Sequence, residues 1–98
     1  MSIYDTYIEG LTNLFREKGC TISDICRNIG TDEIIESFSM KTGRYNYLVD
    51  VLYSGNNVKE IAVNFSDEYK HLDNPTKLKD AVIDTTKEIY EYILKENC

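Results

Sequence analysis

The feature that most constrains the fold is a pair of segments in which every second residue is apolar, separated by a turn. From Tyr45 to Tyr53, tyrosine and valine occupy alternate positions, which is the period of a strand with one buried face. Residues 54–57 (Ser-Gly-Asn-Asn) tolerate positive φ, and residues 58–65 return with the same alternation. The pattern predicts a β-hairpin, and because an isolated hairpin is only marginally stable in water, it must pack against a helix.

Two other segments have the three- and four-residue apolar spacing of an amphipathic helix. The first is residues 3–18, followed by Gly19 at the position where a left-handed helix cap favours glycine. The second is residues 75–96, which begins with Pro75, whose fixed φ suits the first helical position. The predicted buried stripe of this C-terminal helix consists of Leu78, Ala81, Val82, Thr85, Ile89, Tyr92 and Ile93.

A short second helix is predicted for residues 21–30. Thr21 can cap its start and Gly30 can end it, while four apolar side chains between them fit one helical face. Together with the N-terminal helix, this segment would form a small helical region ahead of the hairpin.

Residues 32–41 are compatible with two structures. Their apolar residues alternate as in a half-buried strand, yet they also fit one face of a short helix. We prefer a strand because residues 41–44 resemble a tight turn into the next one. The predicted fold is a single α+β domain over residues 1–98: an N-terminal helix, a short second helix, a three-stranded antiparallel sheet and a long C-terminal helix.

Composition excludes several classes of protein. Hydrophobic residues make up 42% and charged residues 29%, as in globular rather than disordered chains. No run approaches the roughly 20 apolar residues that span a bilayer, and Met1–Asp5 lacks the basic and apolar parts of a signal peptide. We expect a protein of the cytoplasm, of its source or of a host cell, without membrane contact.

The inventory of reactive side chains argues against catalysis. The one histidine, His71, lies in a charged segment without a second ligand at zinc-site spacing, and the glycines form no phosphate-binding loop. Cys20, Cys26 and Cys98 are odd in number and form no C-x-x-C pair, so reduced thiols are expected, with Cys20 and Cys26 packed as small hydrophobic residues. The sequence predicts no enzyme, no catalytic residue, no metal and no cofactor.

Acidic residues dominate the surface chemistry, with 17 acidic residues against 11 basic ones and a net charge of −6. Four positions of the last helix form an acidic row on one face, and the segment before that helix adds three more acids. Such a row is either a solvated face that maintains solubility or a negative patch that docks onto a basic groove. The candidate acidic binding residues are Asp67, Glu68, Asp73, Asp80, Asp84, Glu88 and Glu91.

Six of the eight tyrosines fall into two predicted groups. Tyr69, in a polar segment, and Tyr90, beside the buried stripe of the last helix, are the candidate partner contacts, because tyrosine provides contact area at low entropic cost. The tyrosines predicted to lie in the core or on a sheet face are Tyr7, Tyr45, Tyr47 and Tyr92.

Two known folds resemble parts of this sequence. Residues 18–30 resemble the first half of a helix-turn-helix, and with 32–41 as recognition helix and 45–65 as wing the chain resembles a winged helix-turn-helix regulator. That recognition helix would begin with Asp32 and Glu33, whose carboxylates repel DNA phosphates rather than neutralise them. The order helix, three strands, helix also resembles the double-stranded-RNA-binding fold, although the last helix is not basic at its start beyond two lysines.

In size, acidity and element order the chain also resembles small phage-encoded inhibitors of bacterial defence, including anti-CRISPR proteins. This resemblance implies a nucleic-acid mimic that presents an acidic face to a basic nucleic-acid channel. The leading hypothesis is therefore a non-enzymatic inhibitor that binds a basic, nucleic-acid-handling partner protein and does not bind nucleic acid directly. The alternatives are a winged helix-turn-helix regulator, an immunity protein against a nuclease toxin, and an adaptor subunit whose acidity only maintains solubility. The sequence is also compatible with a homodimer.

Overall fold

Two helices and four antiparallel strands form the part of the chain that the computed structural model describes, residues 3–43, 45–65 and 75–96. The strands pair in the order β1-β2-β3-β4, and both helices pack on the same face of the sheet. The elements are α1 (Ile3–Glu17), β1 (Cys20–Ile29), β2 (Ile34–Thr42), β3 (Tyr45–Ser54), β4 (Asn57–Phe65) and α2 (Pro75–Glu96). The predicted α+β class, both terminal helices and the antiparallel sheet are confirmed.

The number of strands was predicted wrongly, because the expected short helix over residues 21–30 is the edge strand β1. A β-bulge explains the error. The register of β1 against β2 shifts by one residue between Ser23, which pairs with Ser39, and Cys26, which pairs with Ser37. An extra residue reverses which side chains face inward, so the two-residue period is broken and the apolar spacing imitates a helix.

The bulge contains Asp24, whose φ of 54° lies in the left-handed region. Before the bulge, Ile22 points into the core; after it, Arg27 lies on the same inward face, paired across the strands with Glu36. A short polar side chain such as aspartate tolerates this conformation better than most residues do. The backbone at Asp24 therefore decides that Arg27 faces the core side of the sheet.

The segment 32–41 is a strand from Ile34 onward, as preferred, and β2 (Ile34–Thr42) pairs with β3 along its whole length. The two segments that would make a helix-turn-helix are adjacent strands, so the winged helix-turn-helix arrangement is wrong. The fourth strand also separates this fold from the helix, three strands, helix order of the double-stranded-RNA-binding fold. Gly43 and Gly55 take φ values of 61° and 59° at the two turns that flank β3.

The core lies between the sheet and the two helices. From α1, the Phe15 ring packs edge-on to Phe38 of β2 with centroids 5.5 Å apart, and the Tyr90 ring of α2 stacks on Phe38 at 6.3 Å. On β1, Cys20 is buried as expected, but Cys26 is exposed because the bulge turns it to the outer face. Among the described residues, no helix is both long and apolar enough to cross a membrane.

Substitutions at Asp24 test the role of the bulge. Asp24→Val should destabilise the fold by about 1–2 kcal/mol, because a β-branched residue is strained at positive φ, whereas Asp24→Gly should be neutral or slightly stabilising. The free energy of unfolding in urea measures both. Equal losses for valine and glycine would show that the aspartate side chain, not the backbone conformation, matters at this position.

Candidate functional site

The acidic row predicted from the sequence lies on the outer surface of α2. Asp80, Asp84, Glu88 and Glu91 are all exposed, and the Glu88 side chain retains 71% of its accessible surface. Residues four apart advance about 6 Å along a helix and stay on one face. The helix therefore presents carboxylates at intervals of three or four residues along its outer surface.

Two lysines reduce the charge at the C-terminal half of this row. Lys18 Nζ lies 3.8 Å from Glu88 Oε1, and Lys87 Nζ lies 4.0 Å from Glu91 Oε1. All four side chains are about half exposed or more, so these ion pairs are screened by water and stabilise the fold by at most about 1 kcal/mol each. Such weak pairs leave the carboxylates of the row free to exchange partners at little cost.

A groove between α1 and α2 opens beside the acidic row. It has a volume of about 350 Å³ and is lined by apolar Leu14 and Ile89, by the carboxylates Glu17 and Glu88, and by Lys18, whose ammonium pairs with Glu88. Tyr92 forms one wall and is 57% exposed. The combination of apolar floor, carboxylate rim and exposed phenol suits the long stem and charged head of a lysine or arginine side chain.

The tyrosine predictions for α2 are reversed in the structure. Tyr90, predicted to contact a partner, has no exposed surface, while Tyr92, predicted to lie in the core, is exposed. The reason is a buried acceptor for the Tyr90 hydroxyl, which periodicity along the helix does not reveal. The remaining predicted binding residues, Asp67, Glu68, Tyr69 and Asp73, lie outside the described residues, as does His71.

That acceptor is the carboxylate of Glu36, which is fully buried on β2. Its Oε1 accepts hydrogen bonds from the Tyr7 hydroxyl at 2.8 Å and the Tyr90 hydroxyl at 2.6 Å, and its Oε2 accepts one from Arg27 Nε at 3.1 Å. One carboxylate thus joins both helices and two strands. A buried carboxylate is tolerated only when it is paired and hydrogen-bonded in this way.

Aromatic rings enclose the positive partner of this cluster. The Arg27 guanidinium lies 4.3 Å from the Tyr4 ring centroid and 4.9 Å from the Tyr7 centroid, within cation–π range. Burial opposes its charge, but the interactions with Tyr53 and Glu36 outweigh burial and raise the pKa of Arg27 above its ordinary value. Arg27 therefore stays charged and neutralises Glu36.

The tyrosine hydroxyls of the cluster are held in their protonated form. Burial first, and then the negative charge of Glu36, raise the pKa of Tyr7 and of Tyr90 far above the ordinary value of 10.0. The Tyr53 hydroxyl is buried beside them, and burial, followed by the negative charge of Glu36, raises the pKa of Tyr53 as well. With both oxygens occupied and no exposed surface, Glu36 organises the core and is not placed to meet a substrate.

The sequence contains a signal for the buried position of Glu36. It occupies an inward position of β2 in the alternating series Ile34, Glu36, Phe38, Met40. A charged residue in an apolar series indicates a buried, paired group. Its partner Arg27 could not be found in this way, because only the bulge brings Arg27 to the inward face.

Neither a group of metal-binding side chains nor a match to a known protein points to a further site among the described residues. Within residues 3–43, 45–65 and 75–96, no three His, Cys, Asp or Glu side chains come together in a group that could hold a metal ion. Searches of protein-family models, curated proteins and solved structures give no match for this chain. The functional argument therefore rests on the surfaces of the molecule itself.

Replacing Glu36 tests the importance of the cluster. Glu36→Gln should lower the free energy of unfolding by about 3 kcal/mol, because it leaves the Arg27 charge without its buried partner. The matched control is Glu33→Gln, which removes an exposed pair with Lys59 at 2.8 Å and should cost less than about 1 kcal/mol. Equal losses in urea unfolding would contradict the structural role of Glu36.

Alkaline pH should destabilise the protein through Tyr7 and Tyr90. Both keep their protons in the folded chain but lose them in the unfolded chain above pH 10.0, so their contribution is complete below that pH and is lost as pH rises. Each contributes a slope of about 1.4 kcal/mol per pH unit.

Tyr90→Phe should therefore reduce the alkaline slope of the unfolding free energy by about one proton, whatever it does to stability at neutral pH. Tyr92→Phe is the matched control, since its side chain contacts solvent in the folded chain as well. Urea unfolding at several pH values between about 9 and 11 measures the slopes. An unchanged slope for Tyr90→Phe would contradict the buried, protonated hydroxyl.

Proposed function

We propose that this protein is a non-enzymatic binding module that docks the acidic outer face of α2 onto a basic site of a partner protein. The observation that carries the proposal is the exposed row Asp80, Asp84, Glu88 and Glu91 beside the groove that Tyr92 borders. Charge complementarity would steer and orient the encounter, and the groove would provide the desolvated contact that holds the complex.

The proposed partner site is one that ordinarily holds nucleic acid, which makes the protein an inhibitor by competition. A helix bearing evenly spaced carboxylates offers a lysine- and arginine-rich channel the same kind of charge as a phosphate backbone. The helix is also held rigidly, because Val82, Ile89 and Ile93 on its inner side are buried in the core. Little ordering entropy is then lost when the acidic face binds.

An immunity protein against a nuclease toxin would use the same surface in the same way. The two proposals differ only in whether the partner belongs to a defence system or is a toxin, so identifying the captured protein distinguishes them. The adaptor proposal differs physically, because there the acidic row only keeps the protein soluble and its charge can be reversed without loss of binding.

The test is affinity capture from source-cell lysate, followed by mass spectrometry, with the wild type and the triple variant Asp80→Lys, Asp84→Lys, Glu88→Lys. We expect the wild type to enrich a basic protein that is released by added salt or nucleic acid. The variant should bind it roughly 100-fold more weakly, equivalent to about 2.7 kcal/mol. Because Glu88→Lys also breaks the exposed ion pair with Lys18, urea unfolding checks that the variant is folded before its capture is compared with the wild type.

The matched control reverses three exposed carboxylates that lie outside α2: Glu9→Lys, Asp32→Lys, Glu33→Lys. It makes the same change in net charge, so a loss of binding confined to the α2 variant identifies the face rather than the total charge. If both variants still capture the partner, or if both lose it equally, the acidic face of α2 is not the binding site.

A further inference from the structure

The face of the sheet opposite the helices has a composition unlike the rest of the surface. Strand pairing arranges its side chains in four rows that cross the sheet. The first row is Thr21, Lys41 and Asn46; the second is Ser23, Ser39, Leu48 and Asn64; the third is Cys26, Ser37, Asp50 and Ala62; the fourth is Asn28, Ile35, Leu52 and Glu60. Small uncharged side chains therefore surround a few large apolar ones.

The large apolar side chains of this open face are unusually exposed for strand residues. Leu48 is 60% exposed and Ile35 is 43% exposed. Two shallow depressions lie beside them, one of about 370 Å³ next to Leu48 and Ser39 and one of about 300 Å³ next to Ile35 and Leu52. A face that packs on nothing would be expected to alternate to polar residues at these positions.

The rows are self-complementary. Consider two copies packed with their open faces together and related by a two-fold axis that lies between the two sheets, parallel to the strands and midway between β2 and β3. In this arrangement β2 of one copy lies over β3 of the other within each row. Leu48 would then meet Ser39, a large side chain over a small one, and Ile35 would meet Leu52. In the same arrangement Asp50 would meet the Ser37 hydroxyl, which can donate a hydrogen bond to it. Such an isologous match is what a symmetric dimer requires.

The area of the open face is sufficient for a dimer. Nine-residue strands are about 30 Å long, and four strands span about 19 Å, which gives about 600 Å² per copy and about 1,200 Å² in total. This lies at the lower end of specific protein interfaces. Two aligned sheets pack about 10 Å apart, the separation that side chains of these sizes can fill.

Electrostatics also favour a second copy over a charged partner. The open face carries Lys41, Asp50 and Glu60 at its paired positions and Asp24 at the bulge, whereas the chain as a whole has a net charge of −6. Face-to-face packing places the acidic α2 helices on opposite outer surfaces, separated by two sheets and two helical layers. That distance exceeds the Debye length of about 8 Å at physiological salt, so the acidic helices hardly repel each other.

Pairing of two copies through the edge strands of the sheet is less favourable than pairing through the open face, because both edge strands are irregular. β1 carries the bulge at Asp24, and β4 is shifted in register opposite Leu52 and Tyr53. Bulged edges twist away from a straight partner strand and prevent continuation of the sheet. The open face is thus the surface through which two copies can pair.

We propose that this protein forms a two-fold symmetric homodimer through the open face of its sheet, with Leu48 of each copy packed over Ser39 of the other. The proposal is independent of the proposed function, since it leaves both acidic α2 faces exposed. A dimer would present two such faces and could bind a two-site partner with increased avidity.

Sedimentation velocity of the full chain tests the dimer. At about 200 µM the wild type should sediment with the molecular mass of a dimer, twice 11.4 kDa. Added salt should maintain or strengthen the dimer, because the contact is apolar. Leu48→Lys should be monomeric, whereas Tyr92→Lys, at a similarly exposed apolar position on α2, should remain dimeric. Circular dichroism confirms that each variant folds.

A complementary pair of variants tests the arrangement itself. Ser39→Asp should also be monomeric. An equimolar mixture of Leu48→Lys and Ser39→Asp should nevertheless form a heterodimer. In it, the new lysine at position 48 of one copy faces the new aspartate at position 39 of the other, while the second 48–39 contact keeps the wild-type leucine and serine. A monomeric wild type, a dimer that survives Leu48→Lys, or a mixture that stays monomeric would each overturn the proposal. Loss of dimerisation without loss of lysate capture would separate it from the proposed function of α2.

Discussion

The fold depends on one buried carboxylate. Glu36 has no contact with solvent, and its two oxygens are satisfied by Tyr7 of α1, Tyr90 of α2 and Arg27 of β1. Because an unpaired buried charge costs several kcal/mol, every element that supplies a partner must stay in register with β2. Both helices and the Arg27 side chain that the bulge turns inward meet at this carboxylate, so Glu36 links the elements of the fold to one another.

This cluster gives the molecule two sides with different chemistry. By fixing both helices on one face of the sheet, it leaves the outer surface of α2 free to present carboxylates at intervals of about 6 Å. It also leaves the other face of the sheet uncovered, with Leu48 and Ile35 in contact with solvent. The proposed partner contact and the proposed self-association therefore lie on opposite sides and do not compete.

The accuracy of the sequence-based predictions followed the regularity of each pattern. β3 and both terminal helices have unbroken periods and were assigned correctly, and β4 was assigned correctly because the turn and the alternation from Ile61 to Phe65 outweigh its single register shift. The segment 21–30 was assigned wrongly because the bulge at Asp24 reverses the alternation midway and leaves an apolar spacing that also fits a helix. The buried and exposed positions were predicted the wrong way round for Tyr90 and Tyr92. Helical periodicity shows that one face of α2 is buried, but it does not fix the rotation of the helix about its axis. The hydrogen bond from Tyr90 to Glu36 fixes that rotation.

The sequence by itself determined the α+β class, the hairpin with its turns, the two amphipathic helices and the acidic row on α2. Each of these depends on residues close together in the chain, whose spacing is set by backbone geometry. Only the tertiary structure decided that β1 is a strand, that Arg27 faces Glu36, and that the outer face of the sheet is left uncovered. These features depend on contacts between residues such as Tyr90 and Glu36, 54 positions apart, which no local pattern encodes.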